Sequence, residues 1–164
     1  MDVTQARLEG LALELGQALL ARGWMLACAE SCTGGWAAQA CTAIAGSSAW
    51  FERGFVTYSN AAKMELLGVS EPDLLRHGAV SLEVARAMAE GVLAHSRARV
   101  AFAITGIAGP TGGSPEKPVG TVCFAWAVQG REIRLERALF AGDRRAIRAQ
   151  AVAYALGYMR DAVA

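Results

Sequence analysis

The chain has 164 residues, 54% of them hydrophobic, with 18 glycines and a formal net charge of +1. That length suits one domain, residues 1–164, with a substantial core, and the apolar fraction excludes a disordered chain. The near-zero charge argues against a partner with a phosphate backbone, so no nucleic acid is expected.

No apolar run approaches the roughly 18 to 20 residues of a membrane span. The start Met1-Asp2-Val3-Thr4 lacks the basic opening of a signal peptide, so a cytoplasmic protein without a membrane partner is expected. Cys28, Cys32, Cys41 and Cys123 form no C-x-x-C pair and read as reduced core thiols. His77 and His95 stand far apart, so neither a metal site nor a cofactor is expected.

Leu8, Leu11, Leu15 and Leu19 repeat at helical spacing and predict an amphipathic helix over residues 4–21, ended by Gly23. Residues 24–29 read as a first strand, and 33–42 as a helix capped by Ser31 or Thr33. A loop with Gly46, Ser47 and Ser48 follows. Residues 55–58 are the second strand, ended by Asn60, and a short helix over 61–67 stops at Gly68. Ser81 opens a helix whose buried face is Leu82, Ala85, Met88, Ala89 and Val92. Residues 99–104 form a third strand that runs into a glycine-dense loop, Thr105 onward to Gly113. Strands over 119–128 and 132–140 make a hairpin at Gln129-Gly130, and Asp143 caps a last helix. The expected fold is single-domain, layered α/β: a mixed, mostly parallel sheet flanked by helices, with a β-hairpin in the C-terminal half.

The apolar run from Trp24 stops abruptly at Glu30-Ser31-Cys32-Thr33-Gly34-Gly35. Polar turns at the carboxyl ends of strands are where α/β proteins hold ligands and nucleophiles, which singles out Ser31. A serine needs a base, and neither histidine stands beside a promising loop. Lys63, just after the second strand, is a base only if its pKa falls from about 10.4 to about 7, a change worth roughly 4 to 5 kcal/mol and available from desolvation. Lys117, the other lysine, reads as exposed. Tyr58 and Lys63 straddle a strand-to-helix turn, so their tips can converge. The loop over residues 106–113 matches neither a Walker A nor a dinucleotide fingerprint, but its backbone N–H groups can form an anion nest. Arg144, Arg145 and Arg148 crowd a helix start, where cations are disfavoured unless they serve an anion.

In order, the blocks Ala29-Glu30-Ser31-Cys32-Thr33-Gly34-Gly35, Ala45-Gly46-Ser47-Ser48, Gly54-Phe55-Val56-Thr57-Tyr58-Ser59-Asn60 with Lys63, His77-Gly78-Ala79-Val80-Ser81, Thr105-Gly106-Ile107-Ala108-Gly109-Pro110 and Gly142-Asp143-Arg144 span nearly the whole chain. Assembled, they resemble the CinA C-terminal domain family, and within it the stand-alone nicotinamide-nucleotide amidohydrolases. The resemblance implies metal-independent hydrolysis of the carboxamide of nicotinamide mononucleotide (NMN) to nicotinic acid mononucleotide and ammonia, in pyridine nucleotide recycling. Larger family members carry an N-terminal domain associated with nucleotide pyrophosphatase chemistry, and that activity is not transferred here.

On that footing Ser31 is expected as nucleophile, with Ser48 as the alternative, Lys63 as general base and Tyr58 as proton relay. Backbone N–H groups around Thr33, Gly34 and Gly35, with Ser48 or Thr105, are the oxyanion candidates. Arg145 and the loop starting at Gly106 are expected to hold the phosphate, with Asn60 also on the substrate. A homodimer is expected, with the N-terminal helix as a source of interface. Two other functions remain open at this point: an amidase for another small amide, and a catalytically silent nucleotide-binding module.

Overall fold

A computed structural model describes residues 2–164. Helix α1 (Gln5–Arg22) begins where the Thr4 hydroxyl accepts from Arg7 N–H and ends at Gly23, whose φ of 67° terminates it. Strand β1 (Leu26–Glu30) leads through a turn to α2 (Trp36–Thr42), and a single 3-10 turn (Ser47–Ala49) precedes β2 (Phe51–Val56). Three helices follow, α3 (Asn60–Leu67), α4 (Glu71–His77) and α5 (Leu82–Ala94), then β3 (Val100–Gly106), β4 (Thr121–Val128), β5 (Arg134–Leu139) and α6 (Arg144–Val163).

The five strands form one sheet in the order β2-β1-β3-β4-β5. β1 pairs in parallel with β2 and β3, while β4 runs antiparallel to both β3 and β5. β4 alone therefore opposes the other four strands, and β4 and β5 form the expected hairpin.

Strand periodicity divides the core in two. Leu26, Cys28, Phe102, Ile104, Phe124 and Trp126 face α1, α2 and α6. Ala27, Ala29, Ala101, Ala103, Ala125 and Ala127 face the layer built on α5. The second face is almost wholly alanine, which lets α5 lie close to the sheet. α3 comes equally close to α5: a Cβ on Gly91 would stand 2.2 Å from the Leu67 carbonyl oxygen. Leu8, Leu11, Leu15 and Leu19 are all buried within the chain, so the face of α1 expected to supply a dimer interface is spent in the chain's own core.

Three expectations shift. The second strand covers Phe51–Val56 rather than 55–58; as an edge strand with Glu52 and Arg53 it lacks the continuous apolar run that marks a buried one. Helix α2 starts at Trp36, with Gly35 at its N-cap and no side-chain cap bond, so neither Ser31 nor Thr33 caps it. Helix α4 is additional; Ser70 accepts from Asp73 N–H, with Pro72 in the first turn, a start signal that the sequence carries in Ser70-Glu71-Pro72-Asp73.

From β1 the chain crosses to β2 on one side, then over the opposite face through α5 to β3 on the other. The carboxyl end of β1 is thus a topological switch point, where connections diverge and leave a crevice. Ser31 is the first residue beyond it.

Candidate active site

Ser31 after β1, Tyr58 after β2, and Thr105 and Gly106 at the end of β3 meet around a cavity of about 270 Å³, with Asn60, Lys63 and Arg144 completing its polar lining. The Ser31 N–H donates to the Ile104 carbonyl at 3.0 Å, extending the β1–β3 ladder by one bond and fixing the serine against the sheet.

Lys63 reaches this point from α3, whose start is set by the Ser59 hydroxyl accepting from Ala62 N–H. The lysine is only 1% exposed. Its Nζ lies 3.0 Å from Ser31 Oγ, 3.0 Å from the Thr57 carbonyl oxygen and 3.2 Å from that of Tyr58. Burial pulls its pKa below the usual lysine value, with Cys32 acting in the opposite sense. A neutral amine with two N–H groups on those carbonyls directs its lone pair at the Ser31 hydroxyl. That is the arrangement a general base requires.

The turn carrying Ser31 is anchored by Glu30. Its buried carboxylate accepts from Thr33 Oγ1 at 2.6 Å and from the Ala37 and Ala38 N–H groups at 2.9 Å each. Glu30 thereby satisfies the first turn of α2 from the preceding strand. Gly34 and Gly35 complete the reversal at φ values of 61° and 102°, conformations that favour glycine. From the other side Arg148 donates to the Cys32 and Thr33 carbonyls at 3.0 and 3.1 Å.

Tyr58 enters the site by its backbone. Its carbonyl holds Lys63, whereas the phenol is 63% exposed and its hydroxyl lies 3.4 Å from Arg144 Nη2. The expected proton relay through that hydroxyl has no contact with Ser31 or Lys63 among the described residues. Ser48 is also displaced: it sits exposed on the 3-10 turn that precedes β2, at the end of the parallel strands opposite Ser31. Parallel pairing of β1 and β2 imposes that separation.

Asn60, Thr105 and Gly106 line the cavity as expected, but the Thr105 hydroxyl donates to the Ala79 carbonyl at 2.8 Å. The Gly34 N–H is bonded to the Ser31 carbonyl. No main-chain oxygen among the described residues accepts from Cys32 or Thr33 N–H, and of these two residues only Cys32 lines the cavity. Thr33, Gly34, Gly35 and Arg145 line a neighbouring groove instead of the cavity. It is Arg144 that lines both, and it is tied to the Gly109 carbonyl at 2.8 Å. Gly106 at the end of β3 and Ala108 in the loop beyond it line the cavity, and the Ile107 N–H between them is bonded to the Thr121 carbonyl. Lys117, expected to be exposed, donates to the His77 carbonyl at 2.7 Å.

Cys32 borders Ser31 but does not compete with it. Burial, aided by Glu30, pushes its thiol up to about 12, so it stays protonated and a poor nucleophile. All four cysteines are free and buried.

Residues 8–163 match the family model described as the CinA C-terminal domain. The chain is 58% identical over 154 residues to the nicotinamide-nucleotide amidohydrolase PncC of Escherichia coli strain K12, covering 94% of this chain and 93% of that protein. It is 53% identical to the protein of the same name from Pseudomonas putida, over 89% of this chain and 91% of that one. Among solved structures, the competence/damage inducible protein CihA from Agrobacterium tumefaciens superposes with a TM-score of 0.92 at 46% identity, covering 96% and 95% of the two chains. Among the described residues no helix is long and apolar enough to cross a membrane.

Proposed function

This chain belongs to the CinA C-terminal domain family, and from that premise we propose that it is an amidase that hydrolyses the carboxamide of nicotinamide mononucleotide to nicotinic acid mononucleotide and ammonia. The observation that carries the reading is the 3.0 Å approach of the buried Lys63 amine to Ser31 Oγ. A pure binding module has no use for a desolvated lysine held against a serine. Relatives bearing the amidohydrolase name, matched over nearly their full length, supply the substrate.

In this mechanism Lys63 Nζ takes the hydroxyl proton as Ser31 Oγ bonds to the carboxamide carbon. The negative charge on the former carbonyl oxygen falls to the Cys32 amide, beside Ser31 on the cavity wall. The lysine ammonium returns its proton to the leaving nitrogen, the C–N bond breaks, and ammonia departs from an ester on Ser31. Water, deprotonated by the same lysine, hydrolyses the ester to the free acid and restores the serine. Tyr58 acts through its carbonyl, which keeps Nζ aimed at Ser31, and Asn60 and Arg144 contact the nucleotide.

Incubating purified protein with NMN and measuring ammonia and nicotinic acid mononucleotide tests the reading. Equimolar release of both is expected. Release of ammonia from small amides lacking a ribose phosphate, with none from NMN, would move the substrate; no release from any amide would leave a nucleotide-binding module.

A further inference from the structure

Two features of the chain have no part in the Ser31 and Lys63 pair: the glycine-dense loop after β3, and the segment His77-Gly78-Ala79-Val80-Ser81 between α4 and α5. They meet at one hydrogen bond. Lys117 Nζ, beyond the glycines of the loop, donates to the His77 carbonyl at 2.7 Å.

The segment forms a strap along one side of the Ser31 cavity. Ala79 and Val80 belong to the cavity lining, yet no main-chain hydrogen bond among the described residues reaches either of them. Three side chains hold successive carbonyls instead: Lys117 that of His77, the Ser81 hydroxyl that of Gly78 at 2.8 Å, and the Thr105 hydroxyl that of Ala79 at 2.8 Å. Ser81 opens α5 and Thr105 lies in β3, so both are fixed by regular structure. Lys117 alone comes from a loop, 40 residues along the chain from the carbonyl it holds. Helix α4 ends at His77, and Gly78 turns the chain away at φ 79° and ψ 162°. The His77 carbonyl is therefore one of the helix-end acceptors that need a partner from elsewhere.

The loop is braced to deliver that partner. At its base the Ile107 N–H donates to the Thr121 carbonyl at 2.9 Å and the Gly120 N–H to the Ile107 carbonyl at 2.8 Å, which pins the two arms together. A Cβ on Gly113 would stand 2.7 Å from the Val119 nitrogen, so the arms also close on each other farther out. At the tip the Ser114 N–H donates to the Lys117 carbonyl at 2.9 Å, the Ser114 hydroxyl accepts from the Lys117 N–H at 3.1 Å, and Arg137 donates to the Glu116 carbonyl. The half-buried Lys117 forms no salt bridge among the described residues. Its ammonium is spent on the strap.

We propose that Lys117 is a positioning residue of the enzyme: by holding the His77 carbonyl it fixes the strap, and through it the place of the Ala79 and Val80 side chains against which the flat ring of an aromatic amide packs while its carboxamide meets Ser31. The proposal rests on the amidase reading for the identity of the ligand. Ala79 and Val80 bring only apolar groups to the cavity, the surface on which an aromatic ring packs. None of the bonds that hold Lys63 Nζ involves the strap or Lys117. The strap therefore acts on substrate fit, in ground state and transition state alike, and leaves the base in place.

Steady-state kinetics with NMN and methyl NMR order parameters test this on wild type, Lys117→Met and Lys117→Arg. Lys117→Met keeps the length of the side chain and removes its donors. It should raise KM at least about fivefold with kcat within about twofold of wild type, the mark of lost uniform binding, and Lys117→Arg should restore part of the loss. The methyl groups of Ala79 and Val80 should become more mobile in Lys117→Met, with that of Ala85 on α5 unchanged. The proposal is overturned if KM stays at the wild-type value, if kcat falls with KM unchanged, if Lys117→Arg is no better than Lys117→Met, or if the Ala79 and Val80 order parameters do not move. Failure of the amidase reading shows separately, as wild-type protein that releases no ammonia from NMN while the order parameters still respond to Lys117→Met.

Discussion

Lys63 Nζ and Ser31 Oγ stand 3.0 Å apart although 32 residues separate them, and the carbonyls of Thr57 and Tyr58 hold the amine from behind. The pairing is a product of topology: one partner ends β1, the other opens the helix after β2, and parallel pairing brings both to the same edge of the sheet.

Ser31→Ala should lower turnover of NMN by at least about a thousandfold, because the nucleophile and its base act as a unit. Ser48→Ala should stay within about twofold of wild type, as a surface change remote from the cavity. Steady-state ammonia release by the two variants checks both.

The depressed pKa of Lys63 has a definite sign in stability. Between its folded value and its higher unfolded value, the unfolded chain binds more protons, so this residue's contribution to stability rises with pH through that window. Below the folded value the buried ammonium carries its full desolvation cost. Denaturant melts of wild type and Lys63→Met from pH 7 upward should therefore show wild type gaining relative to the variant as pH rises. NMN turnover should climb over the same range, with its inflection below the ordinary lysine value, and Lys63→Met should be inactive throughout.

Tyr58→Phe removes a hydroxyl whose only partner among the described residues is Arg144, and it leaves the carbonyl that holds Lys63. Turnover should fall by no more than about tenfold, the scale of one hydrogen bond. A proton relay would cost on the order of a hundredfold or more, so kcat for NMN separates the two roles.

Glu30→Gln tests the anchor of the nucleophile turn. The carboxylate accepts along both oxygens, from Thr33 and Ala37 on one and Ala38 on the other. An amide sets its NH2 against one of these donors. The variant should lose about 1 to 3 kcal/mol of stability, read by urea denaturation, and should lose activity even at temperatures where it remains folded.

The layered fold was legible because its signals are local: the leucine repeat of α1, the Asp143 cap and the glycine stops all register within a few residues. Ser31 and Lys63 were legible as strand-end chemistry. Glu30 was missed because it continues an apolar strand, and nothing in one dimension says that a strand residue will cap the helix after it. Arg144 and Arg145 are neighbours in sequence and share the groove, yet only Arg144 also reaches the Ser31 cavity, since adjacent positions on a helix point about 100° apart. Ser48 is the alternative to Ser31 in sequence because it too is a serine in a glycine-containing loop. Only the direction of β2 shows that its turn lies at the wrong end of the sheet.

The most direct measurement is mass spectrometry of acid-quenched protein during turnover of NMN, with the Ser31 peptide isolated. The account predicts a transient adduct on Ser31 equal in mass to NMN less ammonia, absent from Ser31→Ala. Steady release of nicotinic acid mononucleotide with no adduct on Ser31, or with Ser31→Ala still turning over at the wild-type rate, would contradict it.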